Sequence, residues 1–278
     1  MTTVAAIQLD PSVGDFPGNR DKAAAAIAEA FGAGASIVVI PELATSGYVF
    51  HNREEARSVS IHPDHELFEE WAQLSKDARG GDGLVIGGFS ELGDGQELYN
   101  SAAIVDASGV RAVYRKVHLW DREKEVFTPG DAGPAIVDTP HGRVGVMICF
   151  DMEFPEWTRL AALAGADLLT VPTNWPLLAD PGAERPAEQT IAIAAALVNR
   201  MAIACADRFG IERGVDWTQG TAIISSAGVV MSEAGPGPGR ALAELDLPKS
   251  RDKRVSPGVD LFADRRPDLY DRLHRHLR

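Results

Sequence analysis

The sequence predicts a layered α/β fold. Along the 278 residues, short apolar runs alternate with alanine-rich segments of helical period, a pattern that favours sheets packed against helices. The runs are apolar at successive positions rather than at every second one, which indicates sheets covered on both faces. Because this length is near the upper limit for one hydrophobic core, a single domain over residues 1–278 is the first prediction and two small domains the second.

The first half of the chain predicts five strands and two helices. A buried run at 4–9 precedes an alanine-rich helix at 19–35, which Gly32 and Gly34 interrupt. The next run, 36–41, stops at Pro41, because proline cannot donate to a sheet. After a helical segment, three runs separated by turn residues predict a meander of strands; these elements lie at 66–79, 83–91, 99–106 and 109–116.

The second half predicts further strands joined by helices. The run at 142–149 ends at Cys149, and Pro155 suits the first turn of the helix that follows it. The tail from Lys249 is charged and predicts a short helix at its end. The remaining elements are a strand at 166–172, a helix at 187–201, and strands at 202–210, 221–228 and 229–235.

Composition excludes several classes of protein. The net charge of −13 repels phosphate backbones and anionic lipids, so we expect neither nucleic acid nor membrane as a partner. Two cysteines make no disulfide framework, and the first residues carry no signal-peptide pattern, so we expect a cytoplasmic protein. The seven histidines are scattered without the spacing of metal ligands, so no metal site is predicted.

Three reactive side chains lie at or just past the ends of predicted strands: Glu42, Lys116 and Cys149. Strand ends often carry catalytic groups, because the sheet is rigid and the loops beyond it adapt to a substrate. A carboxylate within reach can take the thiol proton, and a nearby lysine favours the thiolate and can stabilise an oxyanion. The three residues together would therefore make an acyl-transfer site without a histidine.

Taken singly, each of the three has an ordinary structural explanation. A cysteine in an apolar strand is most often a small buried hydrophobe, and this is also our interpretation of Cys205. A glutamate after a strand is commonly a solvated loop residue or a helix cap. A lysine that ends a strand commonly protects a sheet edge. Strand context alone therefore leaves both interpretations of Cys149 open.

Longer motifs resemble the nitrilase superfamily of carbon–nitrogen hydrolases. The blocks "VVIPELATSGY", "YRKVHLWDREKEVFTPGD" and "GRVGVMICFDMEFPEWTRLAALAGADLLTVPTNWP" occur in the order typical of that family and carry Glu42, Lys116 and Cys149 in turn. The resemblance covers essentially the whole chain. It implies a four-layer αββα sandwich, no metal or organic cofactor, and a homodimer or larger homo-oligomer, with the tail of about 249–278 extending into the interface.

The resemblance also implies a mechanism. Glu42 is expected to be the general base, Cys149 the nucleophile that forms a thioester, and Lys116 with the Phe150 N–H the oxyanion site. A second acid near the lysine fits Glu123 by its spacing to "FTPG", and Glu125 is the competing choice. The aromatics Tyr48, Phe150, Trp175 and Trp120 are expected to line the substrate pocket, where Asn174 could bond the amide. For these aromatics, ordinary core packing is the alternative.

The residues after Cys149 bear on the substrate. Phe150 and Asp151 replace the Trp-Glu that follows the nucleophile in typical nitrilases, which disfavours nitriles. Met152 and Glu153 stand where relatives that cleave carbamoyl compounds have arginines that bind the substrate carboxylate. This chain is therefore not expected to bind a substrate carboxylate there. The motif is most similar to amidases, and a neutral or cationic amide that yields an acid and ammonia is the leading prediction. No role is predicted for Asp207.

Other functions stay open at this stage. Hydrolysis of a carbamoyl compound or a nitrile is the alternative within the same superfamily. A Cys-His hydrolase would use His118 or His141 as its base. A catalytically inert oligomeric binding module is the alternative of a different class, and it predicts an unreactive Cys149.

Overall fold

A computed structural model describes residues 1–178 and 185–270, and this part of the chain contains sixteen strands, six α-helices and two short 3-10 helices. The strands are β1 (Thr2–Gln8), β2 (Ile37–Val39), β3 (Leu84–Leu92), β4 (Leu98–Asp106), β5 (Gly109–Arg115), β6 (Ala135–Thr139), β7 (Gly142–Val146), β8 (Leu168–Pro172), β9 (Ala202–Ala206), β10 (Ile211–Glu212), β11 (Val215–Asp216), β12 (Ala222–Ile224), β13 (Val230–Glu233), β14 (Gly239–Leu245), β15 (Arg254–Ser256) and β16 (Val259–Asp260). The helices are α1 (Phe16–Gly32), α2 (Arg53–Ser58), α3 (Glu66–Asp77), α4 (Glu123–Val126), α5 (Pro155–Leu163) and α6 (Ala187–Asn199). No helix in these ranges is both long enough and apolar enough to cross a membrane.

Twelve of the strands form two six-stranded sheets. Their orders are β14-β1-β2-β3-β4-β5 in the first sheet and β13-β12-β9-β8-β7-β6 in the second. The centre of each sheet is parallel, β1-β2-β3 in the first and β7-β8-β9 in the second, and antiparallel strands flank it. Parallel neighbours end at the same edge, so the residues that follow β2, β7 and β8 are brought to shared edges of the sheets.

The two faces of the first sheet pack against different layers. One face meets the second sheet in a core that includes Val39 and Leu168, while the other meets α1 and α3 in a core that includes Val38 and Trp71. Helices α5 and α6 cover the second sheet through small alanines, such as Ala196. Both faces of the central strands are therefore apolar, and the predicted four-layer αββα sandwich is confirmed.

Some predicted element bounds need correction. The strand predicted at 142–149 ends at Val146, and Cys149 instead begins a short 3-10 helix over Cys149–Glu153. Helix α5 does begin at Pro155. The sequence did not predict β14, which pairs with β1 along its length, because its mixed polar pattern resembles a loop. The helix predicted at the end of the tail falls partly on residues 271–278, outside the described residues.

Candidate active site

The three reactive residues are positioned by both sheets. Glu42 follows β2 and Lys116 follows β5, both in the first sheet, whereas Cys149 follows β7 in the second. All three are buried, with at most 4% of the residue exposed. The site therefore lies where the ends of strands from two stacked sheets face each other.

A glycine on the neighbouring strand lets the Glu42 turn approach closely. A Cβ atom at Gly88 of β3 would lie 2.4 Å from the Leu43 nitrogen and 2.6 Å from the Glu42 Cα, distances that a side chain cannot occupy. The Gly88 N–H donates to the Pro41 carbonyl at 3.1 Å. Leu43 has a φ of +48°, so the chain turns sharply directly after Glu42. This packing fixes the backbone from which the Glu42 carboxylate projects.

A buried ammonium group joins two carboxylates at the centre of the site. Lys116 Nζ donates to Glu42 Oε1 and to Glu123 Oε1, each at 2.7 Å. Glu123 Oε2 in turn accepts from the Trp120 N–H at 2.8 Å, which fixes its orientation. Glu125 lies at the surface, where it pairs with Arg122 at 3.6 Å. Of the two competing acids, only Glu123 contacts Lys116.

Sequence reasoning missed Asn100, which lies in the interior of β4. Its side-chain N–H groups donate to Glu42 Oε1 at 2.7 Å and to Glu123 Oε1 at 3.3 Å. Its backbone carbonyl accepts from the Lys116 N–H at 2.8 Å. The signal was an asparagine inside an otherwise apolar strand, since such a buried polar group requires partners. Asn100 thus helps to hold both carboxylates in position around the Lys116 ammonium group.

Burial and charge set the protonation of this cluster. Burial raises the pKa of Glu42 to about 7, and the Glu123 charge adds to the rise while Lys116 opposes it. Burial alone would lower the pKa of Lys116, but Glu123 and Glu42 outweigh it and hold that pKa well above its ordinary value. Lys116 is therefore a permanent cation, and Glu42 is the group that exchanges a proton near neutral pH.

Cys149 occupies a strained turn. Its φ of +48° lies in the left-handed region, which costs a residue with a Cβ atom about 1–2 kcal/mol. Burial raises the pKa of the Cys149 thiol well above its ordinary value, and the Glu42 charge adds to this effect. Lys116 pulls the pKa down, as expected from the sequence, but does not offset the rise. The resting group is thus a thiol that needs a base at the moment of attack.

Asp151, two residues after Cys149, connects the nucleophile turn to the lysine segment. Its carboxylate accepts from the Ile148 N–H at 3.1 Å, the Tyr114 hydroxyl at 2.8 Å and the His118 N–H at 2.9 Å. The His118 ring also pairs with it, at 2.7 Å from Nδ1. His141 Nε2 lies 2.7 Å from the Asp82 carbonyl. Both histidines are therefore engaged away from the thiol.

Asn174 forms a second connection between the sheets. Its side-chain amide donates to the Glu42 backbone carbonyl at 2.8 Å. The backbone carbonyl of Asn174 accepts from the Cys149 thiol, with 3.9 Å between the oxygen and Sγ. The next residue, Trp175, is buried, and its N–H donates to Asp207 Oδ1 at 3.0 Å. Asp207 also accepts from the Arg208 and Gly220 N–H groups. This gives Asp207 a structural account: it anchors the segment that carries Asn174.

An aromatic-walled cavity of about 160 Å³ adjoins the cluster at Glu123. Tyr48 and Trp120 line it, whereas Phe150 packs edge-on against Trp120 at 4.8 Å and lies outside its lining. Burial raises the pKa of Tyr48 well above its ordinary value, as do the nearby Glu123 and Glu42 charges, so its hydroxyl stays protonated. Trp175 does not line the cavity either.

Comparison with known proteins identifies the family. The family model described as carbon–nitrogen hydrolase matches residues 3–254. A protein named nitrilase from Pyrococcus abyssi is 38% identical over 274 residues, which cover 98% of this chain and 100% of that protein. Deaminated glutathione amidase from Bos taurus is 31% identical over 281 residues, covering 96% of this chain and 83% of that protein.

The fold comparison agrees with the sequence comparison. An amidase of known structure from Nesterenkonia sp. matches with a TM-score of 0.81 and 26% sequence identity, covering 98% of this chain and 96% of that one. The family match runs through the segments that carry Glu42, Lys116 and Cys149. The chain therefore belongs to the carbon–nitrogen hydrolase family of the nitrilase superfamily.

Proposed function

We propose that this carbon–nitrogen hydrolase converts a small-molecule amide to a carboxylic acid and ammonia through a thioester on Cys149. The observation that carries the proposal is the buried Lys116 ammonium, 2.7 Å from each of two carboxylates, within electrostatic reach of a cysteine in a strained turn. Buried charges are costly to maintain, and a cluster that serves no reaction would be expected to be apolar instead.

The acylation half of the reaction uses all three groups. Glu42 takes the proton of Cys149 as the sulfur attacks the amide carbon, and the C–S bond forms while the carbonyl oxygen becomes an oxyanion. Lys116 stabilises that oxyanion. The protonated Glu42 then gives its proton to the amide nitrogen, the C–N bond breaks, and ammonia leaves. The products of this half are a Cys149 thioester and an ionised Glu42.

Deacylation reuses the same base. Glu42 removes a proton from water as the water oxygen attacks the thioester carbon, and Lys116 again stabilises the oxyanion. The C–S bond breaks, the sulfur recovers the proton from Glu42, and the carboxylic acid leaves. A base with a pKa of about 7 suits both directions of proton transfer at neutral pH. Glu123 exchanges no proton with the substrate in this scheme and holds Lys116 in place through its hydrogen bond.

Amides are the preferred substrates over nitriles and carbamoyl compounds. Phe150 and Asp151 follow the nucleophile, and Glu153 places a carboxylate rather than an arginine at the end of the same 3-10 helix. No arginine is present at this position to bind a second carboxylate on the substrate, which favours a neutral or cationic amide. Similar proteins are named both nitrilase and amidase, so an ammonia-release screen should include amides, nitriles and carbamoyl compounds.

Glu42→Gln tests the base. The variant keeps an oxygen that can accept from Lys116 and Asn100 but cannot take a proton, so kcat/KM for amide hydrolysis should fall by about 10²–10⁴-fold. In the wild-type protein, kcat/KM should fall as pH drops through about 7, because protonated Glu42 is no base. Ammonia release measured from pH 5 to 9 gives both quantities, and this acid limb should be absent from the variant.

The control is Glu91→Gln, since Glu91 is a second buried glutamate of the first sheet, paired with Arg115 away from the site. This variant should retain the acid limb. An acid limb that survives Glu42→Gln but vanishes in His118→Asn would instead support a Cys-His hydrolase.

We also propose that the enzyme forms a homodimer through α5 and α6. Their outer faces expose apolar side chains, including Leu163 at 39% and Leu197 at 52%; such adjoining apolar surface is typical of interfaces. Leu163→Lys with Leu197→Lys should lower the mass in sedimentation equilibrium from dimer to monomer. Ile211→Lys, at an exposed apolar residue of β10, is the control and should stay dimeric. A monomeric wild-type protein would refute the proposal.

A further inference from the structure

The aromatic-walled cavity adjoins the reacting groups through two of its lining residues, Glu123 and Tyr48, and Tyr48 lies within electrostatic reach of Cys149 and Glu42. Glu123 forms part of its wall and contacts Lys116 Nζ at 2.7 Å. The remaining wall is mainly aromatic rings and valines, among them Tyr48, Trp120, Val126, Phe127 and Trp217. A substrate with its carbonyl oxygen at Lys116 would therefore have this apolar cavity on the Glu123 side of the cluster.

The aromatic-walled cavity has about the volume of one compact apolar group. Its volume is about 160 Å³, and an apolar cavity of about 150 Å³ in another protein accommodates benzene. Among the described residues that line the cavity, Arg122 is the one with a positive charge. Its side chain is 57% exposed, pairs with Glu125 and donates to the His51 carbonyl. The Asp121 and Glu123 side chains add negative charge. These charges disfavour a carboxylate, and the mainly apolar wall also disfavours an ammonium group, since a charge buried without a partner is costly. Of the neutral and cationic amides left open above, the cavity therefore favours the neutral ones.

The far wall of the cavity is held rigidly. The Tyr48 ring packs edge-on against Trp217 at 5.6 Å, and the Arg208 guanidinium lies 4.5 Å from the centre of the Trp217 ring on its face. Arg208 pairs with Glu212 at 3.1 Å. Glu212 Oε2 accepts from the N–H groups of Tyr48 and Val49 at 2.9 and 2.6 Å. Because this wall is tied to buried charges, it limits the size of the occupant.

We propose that the aromatic-walled cavity binds the acyl substituent of the substrate and restricts it to an uncharged, compact apolar group no larger than about a single ring. The inference rests on the proposed amidase function and names its substrate class. Ammonia is too small to fill such a space, so the acyl part of the amide is the portion that needs it. Apolar burial then raises kcat/KM by about fourfold per methylene group.

A substrate series tests this proposal through ammonia release. The value of kcat/KM should rise by about tenfold or more from acetamide to isobutyramide and phenylacetamide. Succinamate carries a carboxylate, so its kcat/KM should be at least about tenfold lower than that of isobutyramide. Val126→Trp fills the cavity and should reduce the phenylacetamide-to-acetamide ratio by at least about tenfold. Phe127→Ala enlarges it and should shift the preference toward 1-naphthylacetamide. Val255→Trp, at an exposed position outside the lining, is the matched control for the ratio.

The outcomes separate this inference from the proposed function. Turnover of acetamide with ratios that neither cavity variant changes would overturn the acyl assignment and leave the amidase proposal standing. If no amide is hydrolysed, the amidase proposal fails. Calorimetric titration of phenylacetamide into the Cys149→Ala protein then still tests whether the cavity binds a compact apolar group. Binding that Val126→Trp weakens by at least about tenfold supports it, and absence of binding overturns it.

Discussion

Replacing Cys149 with alanine should lower kcat for amide hydrolysis by on the order of 10⁶-fold, the scale seen when a covalent nucleophile is removed from a catalytic triad. The base, the lysine and the cavity all remain, but no sulfur is present to form the thioester. Ammonia release at saturating amide measures the loss. In the wild-type protein, acid quench followed by mass spectrometry should find the acyl group on the peptide that contains Cys149.

Cys205→Ala is the matched control for this experiment. Cys205 is the other buried cysteine, lies in β9 and contributes to the core between the layers. Its replacement should cost only modest stability and leave the acyl adduct on Cys149. Full turnover by the Cys149→Ala protein would refute the thioester mechanism, and an adduct on Cys205 would identify a residue of β9 as the nucleophile instead.

Replacing Lys116 with methionine should have the second-largest effect, on activity and stability together. Loss of the oxyanion partner should lower kcat/KM by about 10²–10³-fold. Removal of the cation also leaves Glu42 and Glu123 buried without a counter-charge, which should lower the free energy of unfolding by about 3–5 kcal/mol. Urea denaturation followed by circular dichroism measures the second quantity.

The pH dependence of that stability loss has a definite sign. Without Lys116, the folded-state pKa of Glu42 rises further above that of the unfolded chain, so the folded state binds protons more tightly. Because the pKa of Glu42 is already about 7 in the wild-type protein, both proteins should lose stability in parallel up to about pH 7, and the variant should decline further above that pH, where the wild-type protein has levelled off. Adding Glu123→Gln to Lys116→Met should restore part of the stability and none of the activity.

Lys22→Met is the matched control for the buried lysine. Lys22 pairs with Asp10 at the same 2.7 Å distance, but both side chains are more than a third exposed. Water already screens that pair, so its loss should change the free energy of unfolding by about 1 kcal/mol or less. Equal effects of the two methionine substitutions would contradict the electrostatic account of the buried cluster.

Sequence patterns predicted the layers and the strand ends because both depend on local information. Apolar runs such as the one before Pro41 indicate central strands, and a reactive residue directly after such a run lies at a sheet edge. The position of Cys149 within its element was missed, because a left-handed turn at a non-glycine residue leaves no local signature. Its strain is maintained by tertiary contacts such as the hydrogen bonds that the nearby Asp151 accepts from Tyr114 and His118.

The remaining features of the site depend on long-range pairing. Asn100 meets Glu42 across 58 positions of sequence, and Glu212 meets Tyr48 across 164. Strands β10 and β11 have two residues each, too short for any periodicity to be visible. The cavity wall they help to form therefore could not be inferred from the sequence, whereas the motif order was enough to indicate the reactive residues.

The distribution of the reactive residues between the two sheets has a consequence for folding. The base and the lysine extend from one sheet and the thiol from the other, and the first sheet is completed only by β14, at Gly239–Leu245. A half-assembled chain thus has a base without a nucleophile, or a nucleophile without a base. Activity should therefore appear in a single step, when the two sheets dock. The rate at which activity recovers during refolding would then report the rate of that docking.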